Sequence, residues 1–252
     1  MRSHSKPRAP SRSRQSKAWL TLEKNLEAVS HLVDFSTHEV KSLHAKAARL
    51  HARAVNADPR KQASLKRSAK RFVSAAQLHT DRLTTARLWQ LVTLVTCVEA
   101  YLQDILSLAA SVDTDLMGKS DQRASYAEVL SANSLDDLAG ELRGRWARNW
   151  LSDGGPTRWI ERLQRMGARG YGNDLAARLE LMWGLRHVIV HAAGLATAEF
   201  VRRHPGVVAR AGDRVGLSSV RIAFFLGAVQ DFLEPTEAFF LRRYPSLCEP
   251  RP

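Results

Sequence analysis

The sequence predicts an all-α fold: an up-and-down helical bundle with a small hairpin insertion and a basic helical arm at its N-terminal side. Three observations carry that prediction. Apolar residues recur at three- and four-residue steps along most of the chain, the period of helices with one buried face. Clusters of Pro, Gly and Asx residues interrupt that period at 56–59, 153–156 and 167–172. The formal charge of +13 is confined to the first third of the chain.

Residues 1–17 hold Arg, Lys, Ser and Pro but no acid and no apolar face, and read as a disordered basic tail rather than a transit peptide. Trp19, Leu22, Leu26, Val29 and Val33 then mark a long first helix. It turns Ala- and Arg-rich through Leu43 and Leu50 and stops at Asn56-Ala57-Asp58-Pro59, because Pro disfavours helical backbone in the residue before it. No breaker occurs between 60 and 113, where Phe72, Ala76, Leu83, Leu88, Val95, Leu102 and Ile105 keep helical spacing, as one very long helix or two in series. Ser134 ahead of Asp136 and Asp137 starts a helix that runs to about Leu151. Asn173 or Asp174 caps another, through Leu175, Leu179, Met182, Ile189 and Val190 to about Gly194. Gly212-Asp213 lies between two short apolar stretches within 207–217, a hairpin signal. The last helix, 218–243, is expected to bend where Pro235 lacks a backbone donor. The expected organisation is a tail at 1–17, a basic arm at 18–83 and a helical domain at 84–246.

Composition narrows the function classes. With 44% hydrophobic and 25% charged residues the chain is an ordinary globular protein. Cys97 and Cys248 stand too far apart in sequence for a C-x-x-C pattern, which leaves no disulfide framework and points to a reducing cytosol. The most apolar stretch, 88–110, is broken by Gln90, Glu99, Gln103 and Asp104, so it reads as a core helix, not a membrane span. There is no Gly-rich phosphate loop and no Gly-x-Ser-x-Gly elbow, and Cys97 sits in an apolar helix that keeps a thiol inert. Residues 1–90 hold 19 of the 38 Lys and Arg against six acids, while the remainder is neutral. Such a basic segment is either a surface for nucleic acid or an acidic partner, or a solvated face that keeps the protein soluble.

The candidate chemistry lies on the helix that begins near Asp174. On a wheel of about 100° per residue, Leu179, Met182, Trp183, Ile189 and Val190 fall within about 60° of Arg186. Arg186 therefore projects from the middle of an apolar stripe, where an unpaired guanidinium is expensive. An Arg in such a place can also be a structural ion pair or can snorkel to an edge. His187, Glu180 and His191 occupy the adjoining strip. The spacing Arg186-x-x-x-x-His191 is uninformative alone: with 29 arginines and nine histidines in 252 residues, chance yields such a pair about once. Its context near the end of an amphipathic helix, followed by Ala192-Ala193-Gly194, is what singles it out.

The stretch Leu185-Arg186-His187-Val188-Ile189-Val190-His191-Ala192-Ala193-Gly194 resembles the catalytic helix of the HEPN superfamily, which bears Arg-polar-x-x-x-His followed closely by Gly. The resemblance extends over about residues 84–243, to a helix with Glu99 in Val98-Glu99-Ala100-Tyr101-Leu102 and to a Gly-Asp hairpin before the terminal helix. The family most often has Asn after the Arg, where this chain has His187, a second ionisable group that bears on pH response and cleavage efficiency. The resemblance implies a metal-independent RNA endonuclease without a cofactor, acting as a homodimer whose two Arg186 and His191 pairs share a cleft. A His that titrates near neutrality can relay the proton of a ribose 2′-hydroxyl, and an Arg can hold the phosphate, so transesterification to a 2′,3′-cyclic phosphate is expected. Glu99 would orient Arg186 or His191. A toxin or defence effector in the cytoplasm, with an antitoxin or regulatory partner and no membrane association, fits that family. The alternative is a non-catalytic HEPN-like module that binds RNA or a partner protein, with the basic arm as its main surface. An assembly protein built on the helical arm would need neither Arg186 nor His191.

Two rival readings were weighed on the residues. His187 and His191, four apart, could share a metal, but zinc peptidases need Glu directly after the first His, and Val188 is there. Trp146, Trp150 and Trp159, interleaved with Arg143, Arg145, Arg148 and Arg158, could stack on bases, although Trp at helical spacing is more often core.

Overall fold

The computed structural model describes residues 15–118 and 123–249, apart from the side chains of 28–37, 39 and 249. The expected disordered tail, 1–17, lies outside the described residues except for 15–17, which correct it: Gln15 and Ser16 form a strand and Lys17 opens the first helix. The fold is all-α. Helix α1 (Lys17–Val55) starts on Ser16, whose hydroxyl accepts from the Trp19 amide. Helix α2 (Pro59–Val112) starts with Pro59 and with the Asp58 side chain accepting from the Arg60 amide, an N-terminus that needs no donor from its first residue. The span left open as one helix or two is a single helix of 54 residues, about 80 Å at 1.5 Å per residue.

α1 and α2 pack along each other as an antiparallel hairpin. The shielded positions follow steps of three and four: Val40, Leu43, Ala47, Leu50 and Ala54 on α1; Leu65, Ala69, Phe72, Ala76 and Leu83 on α2. This is a coiled-coil seam, and its alanines let the two backbones approach closely. The hairpin is continuous with the core. Ala18 and Leu22 at its root join Leu91, Leu94, Val98, Leu102 and Ile105, so the expected boundary at 83/84 falls inside α2. By length and composition α2 could cross a membrane, and half of its most apolar stretch is buried within the fold.

Beyond α2 come α3 (Tyr126–Ser131), α4 (Leu135–Ser152), α5 (Pro156–Arg165), α6 (Leu175–His191), α7 (Ala198–Arg203) and α8 (Ser219–Arg243). Ser134 caps α4 as expected, accepting from the Asp137 amide at 3.1 Å. α6 packs against α2, α5 and α8, which places the candidate helix at the centre of the domain. Trp146 and Trp159 are core residues and Trp150 is half-buried under the Arg162 guanidinium, so this cluster offers few free aromatic faces.

The first and last described elements are tied together. Strand β1 (Gln15–Ser16) pairs antiparallel with β2 (Cys248–Glu249). Beneath it the buried Glu237 carboxylate accepts from the Ser16 amide (2.6 Å), the Ser16 hydroxyl (3.0 Å) and the Tyr101 hydroxyl (2.8 Å). Three donors satisfy a carboxylate that would otherwise be costly to bury, and they lock α1, α2 and α8 at one point.

Two expectations are corrected. No hairpin forms within 207–217; the segment pairs instead with the chain just after α6, through a single Leu195–Arg214 bridge, with Ala196 N donating to Asp213 O and Val215 N to Gly194 O. Its apolar stretches are too short to bury a face against each other, and Val215 and Leu217 gain a core by turning inward. Asp174 stands at the start of α6 but makes no side-chain cap; its carboxylate pairs with Arg178 at 3.1 Å. α5 and α7 were not anticipated, because helices of ten and six residues hold too few turns for periodicity to register. α8 runs from a Ser218 cap through Pro235.

Candidate functional site

α6 ends where the chain after it turns left-handed. Ala193 (φ 51°) and Gly194 (φ 78°) reverse the backbone, and the Gly194 amide donates back to Val188 O at 3.1 Å. Gly194 takes this conformation freely, while Ala193 pays about 1 kcal/mol for it. His191 is thereby held in the last turn of α6, with the chain folding away beneath it.

The stripe read from the sequence is present in part. Of its residues Leu179, Met182 and Ile189 are buried and Trp183 half-buried, but Val190 is 42% exposed; burial of Leu185 and Val188 shifts the buried face to one side and leaves the half-buried Arg186 at its edge rather than its middle. Arg186 has no carboxylate partner among the described residues, and its buried Nε has no hydrogen-bond partner. His187 and His191 are exposed, with ring centroids 4.7 Å apart and tilted by 42°.

Arg186 and His187 line a cleft of about 670 Å³ between α6 and the α7 segment, within the usual range of small-ligand sites. Glu180, Trp183 and Gly184 continue its α6 wall, and Phe200, Arg203 and His204 form the other. His191 is not part of the lining; it stands beyond the cleft, against His187. The absence of a side chain at Gly184 admits His204, since a Cβ there would lie 2.7 Å from its Nε2. Burial lowers the His204 pKa below the ordinary imidazole value, with Glu180 opposing and Arg203 reinforcing the shift.

The three carboxylates near the site are all engaged, Glu199 of the cleft lining with Arg203 at 2.6 Å. Glu99 accepts from the Trp183 indole at 3.0 Å, rather than from Arg186 or His191. Trp183 in turn meets Trp159 edge-on at 5.2 Å. Glu180 accepts from the Thr157 amide (3.1 Å) and hydroxyl (2.9 Å), satisfying an orphan donor in the first turn of α5. Burial pushes the Cys97 thiol up, in keeping with an inert side chain. Among the described residues no group of three or more His, Cys, Asp or Glu converges as a metal site.

Sequence reasoning missed the α7 wall. Its signal was local: Thr197 caps the helix by accepting from the Phe200 amide, with Glu199 in the first turn. The fold and site together define an all-helical protein whose central helix presents an unpaired arginine and two imidazoles at the edge of a cleft. Among known proteins, no family model, no curated protein and no solved structure matches the chain.

Proposed function

We propose that the chain is a metal-independent RNA endonuclease of the HEPN type. The observation that carries this reading is Arg186: a half-buried guanidinium with an unsatisfied Nε, beside His187 and one turn from His191, at the wall of an open cleft. A phosphodiester supplies the charge and the acceptors that Arg186 lacks. His191 then takes the proton of the ribose 2′-hydroxyl, the O2′–P bond forms, and the P–O5′ bond breaks to leave a 2′,3′-cyclic phosphate and a 5′-hydroxyl. An in-line displacement needs its proton donor on the far side of phosphorus. Two imidazoles side by side on one helix do not supply that geometry, so a homodimer, with the matching pair of a second subunit facing the cleft, belongs to the proposal. A cytoplasmic toxin or defence effector held in check by an antitoxin or regulatory partner is the setting that suits such an activity.

The test is cleavage of single-stranded RNA by purified protein in EDTA. His191→Ala is expected to abolish cutting while RNA binding persists; unchanged cleavage in that variant would falsify the assignment. A second reading, a non-catalytic RNA- or partner-binding module, is favoured by the position of His191 outside the cleft and by the engagement of Glu99 with Trp183. It predicts RNA binding without any cyclic-phosphate product.

A further inference from the structure

Outside residues 17–40, whose two lysines stand against four acids, the hairpin arm carries a charge that no ion pair among the described residues compensates. Residues 41–87 hold twelve lysines and arginines against two acids, Asp58 and Asp81. Both acids are engaged locally, Asp58 with the Arg60 amide and Asp81 with the Gln77 side chain. Among the described residues no ion pair joins an arm lysine or arginine to a carboxylate. All twelve lie off the coiled-coil seam; eleven are exposed, and Arg87 is half-buried with an unsatisfied Nε.

A two-stranded coil that serves structure alone flanks its seam with acid–base pairs. Here Lys46 and Arg53 of α1 and Lys61, Lys66 and Arg82 of α2 bring the same sign to both flanks. Over the length of α2 from Pro59 to Arg87, about 40 Å, like charges repel, and a bound polyanion is what removes that repulsion.

The chemistry of the surface selects the polyanion. Proteins that bind single strands add aromatic faces on which bases stack. Phe72, the only Phe, Trp or Tyr in 41–87, is half-buried in the seam, and the exposed Trp89 just past that range is a single face where a strand stacks on several in succession. A membrane-surface helix needs a continuous exposed apolar face, whereas Val55, Val73 and Leu78 are exposed singly and the seam residues are closed against each other. What remains is a long cationic rod with no row of aromatic faces, which suits the regular phosphate array of a double helix. We propose that the α1–α2 arm is a binding surface for a nucleic acid duplex, gripped through its phosphates without regard to sequence. This goes beyond the ribonuclease reading and does not rest on it.

The test uses the full chain and labelled RNA and DNA duplexes of about 20 base pairs, followed by fluorescence anisotropy. Binding is expected to weaken about a thousandfold between about 50 and 200 mM salt, the loss for roughly six phosphate contacts. Replacing Arg60, Arg67 and Arg71 together by Gln should weaken binding at least tenfold and flatten the salt slope by about 2 to 3. The thermal midpoint of that variant, read by circular dichroism, should stay or rise, because the three residues are exposed and repelled by their neighbours. Unchanged affinity in a folded triple variant overturns the proposal. So does a single strand of equal length, polyglutamate or a phosphatidylserine vesicle that binds as tightly as the duplex. A preference between RNA and DNA duplexes greater than about tenfold overturns recognition through phosphate alone. His191→Ala should bind duplex like the parent whether or not the parent cleaves RNA, so the two proposals fail separately.

Discussion

The indole Nε1 of Trp183 donates to Oε1 of Glu99 at 3.0 Å, joining α6 to α2 one turn before Arg186. Glu99 thus acts on the site through the placement of α6. Glu99→Ala leaves a half-buried indole donor without its acceptor and is expected to cost about 1 to 3 kcal/mol in urea unfolding. Glu99→Gln keeps an acceptor and should retain most of that stability. If Glu99→Gln melts like the parent yet loses all RNA cleavage, the carboxylate has a direct chemical role and its structural assignment is wrong.

Gly184 and His204 approach each other closely across the cleft. Gly184→Ala places a methyl where the His204 imidazole now lies and forces that ring to swing. The helix itself gains up to about 1 kcal/mol from Ala over Gly, so stability should change little. Binding of short RNA should weaken several-fold while the far-ultraviolet dichroism stays constant. A variant that binds as before would show that the cleft is not occupied by substrate.

His187 supplies a second imidazole 4.7 Å from that of His191. Replacing it by Asn keeps the polar character and removes the second imidazole beside His191. On the ribonuclease reading, the rate of RNA cleavage should change in His187→Asn and stay at the parent's value in a surface control such as His51→Asn. Identical rates in both variants would place His187 outside the reaction.

Two tyrosines, the buried Tyr101 and the half-buried Tyr171, make the fold sensitive to alkali. Burial, with smaller contributions from Glu237 and Tyr171, raises the Tyr101 pKa well above its ordinary value, and burial pushes Tyr171 up to about 12, with its bond to Thr236 acting the other way. A pKa raised in the folded state means stability that is complete below pH 10 and lost as pH rises towards 12. For Tyr171 alone that amounts to about 2 to 3 kcal/mol. Chemical unfolding at pH 8, 10 and 11.5 should therefore show a level baseline followed by a fall, and Tyr171→Phe should reduce the fall. A flat profile to pH 11.5 would contradict the burial of these hydroxyls.

How much was legible in the sequence depended on the range of the physics involved. The turn at Asp58-Pro59, the Ser134 cap and the break at Asp153-Gly154-Gly155-Pro156 were readable because caps and breakers act within a few residues. The apolar stripe of α6 was readable for the same reason, although Val190 lies outside it and Asp174 starts α6 without capping it. The pairing of 194–196 with 212–215 was not, since nothing local distinguishes a hairpin that closes on itself from a segment that finds another partner. α7 was too short to register as a period, and with it went Phe200, Arg203 and His204.

The sequence by itself determined the all-helical class, the positions of the long helices and their ends, and a charge gathered on one arm. Only the tertiary structure decided what each polar side chain faces. Glu99 meets Trp183, Glu180 meets Thr157, and Glu237 joins Ser16 to Tyr101 across 221 and 136 residues of chain. Arg186 is left with an unsatisfied Nε. Helical period specifies which face of a helix is buried, but partners on other helices are set by packing between segments distant in sequence. It was that packing, more than the spacing of Arg186 and His191, that left Arg186 on the wall of a cleft without an ion pair among the described residues.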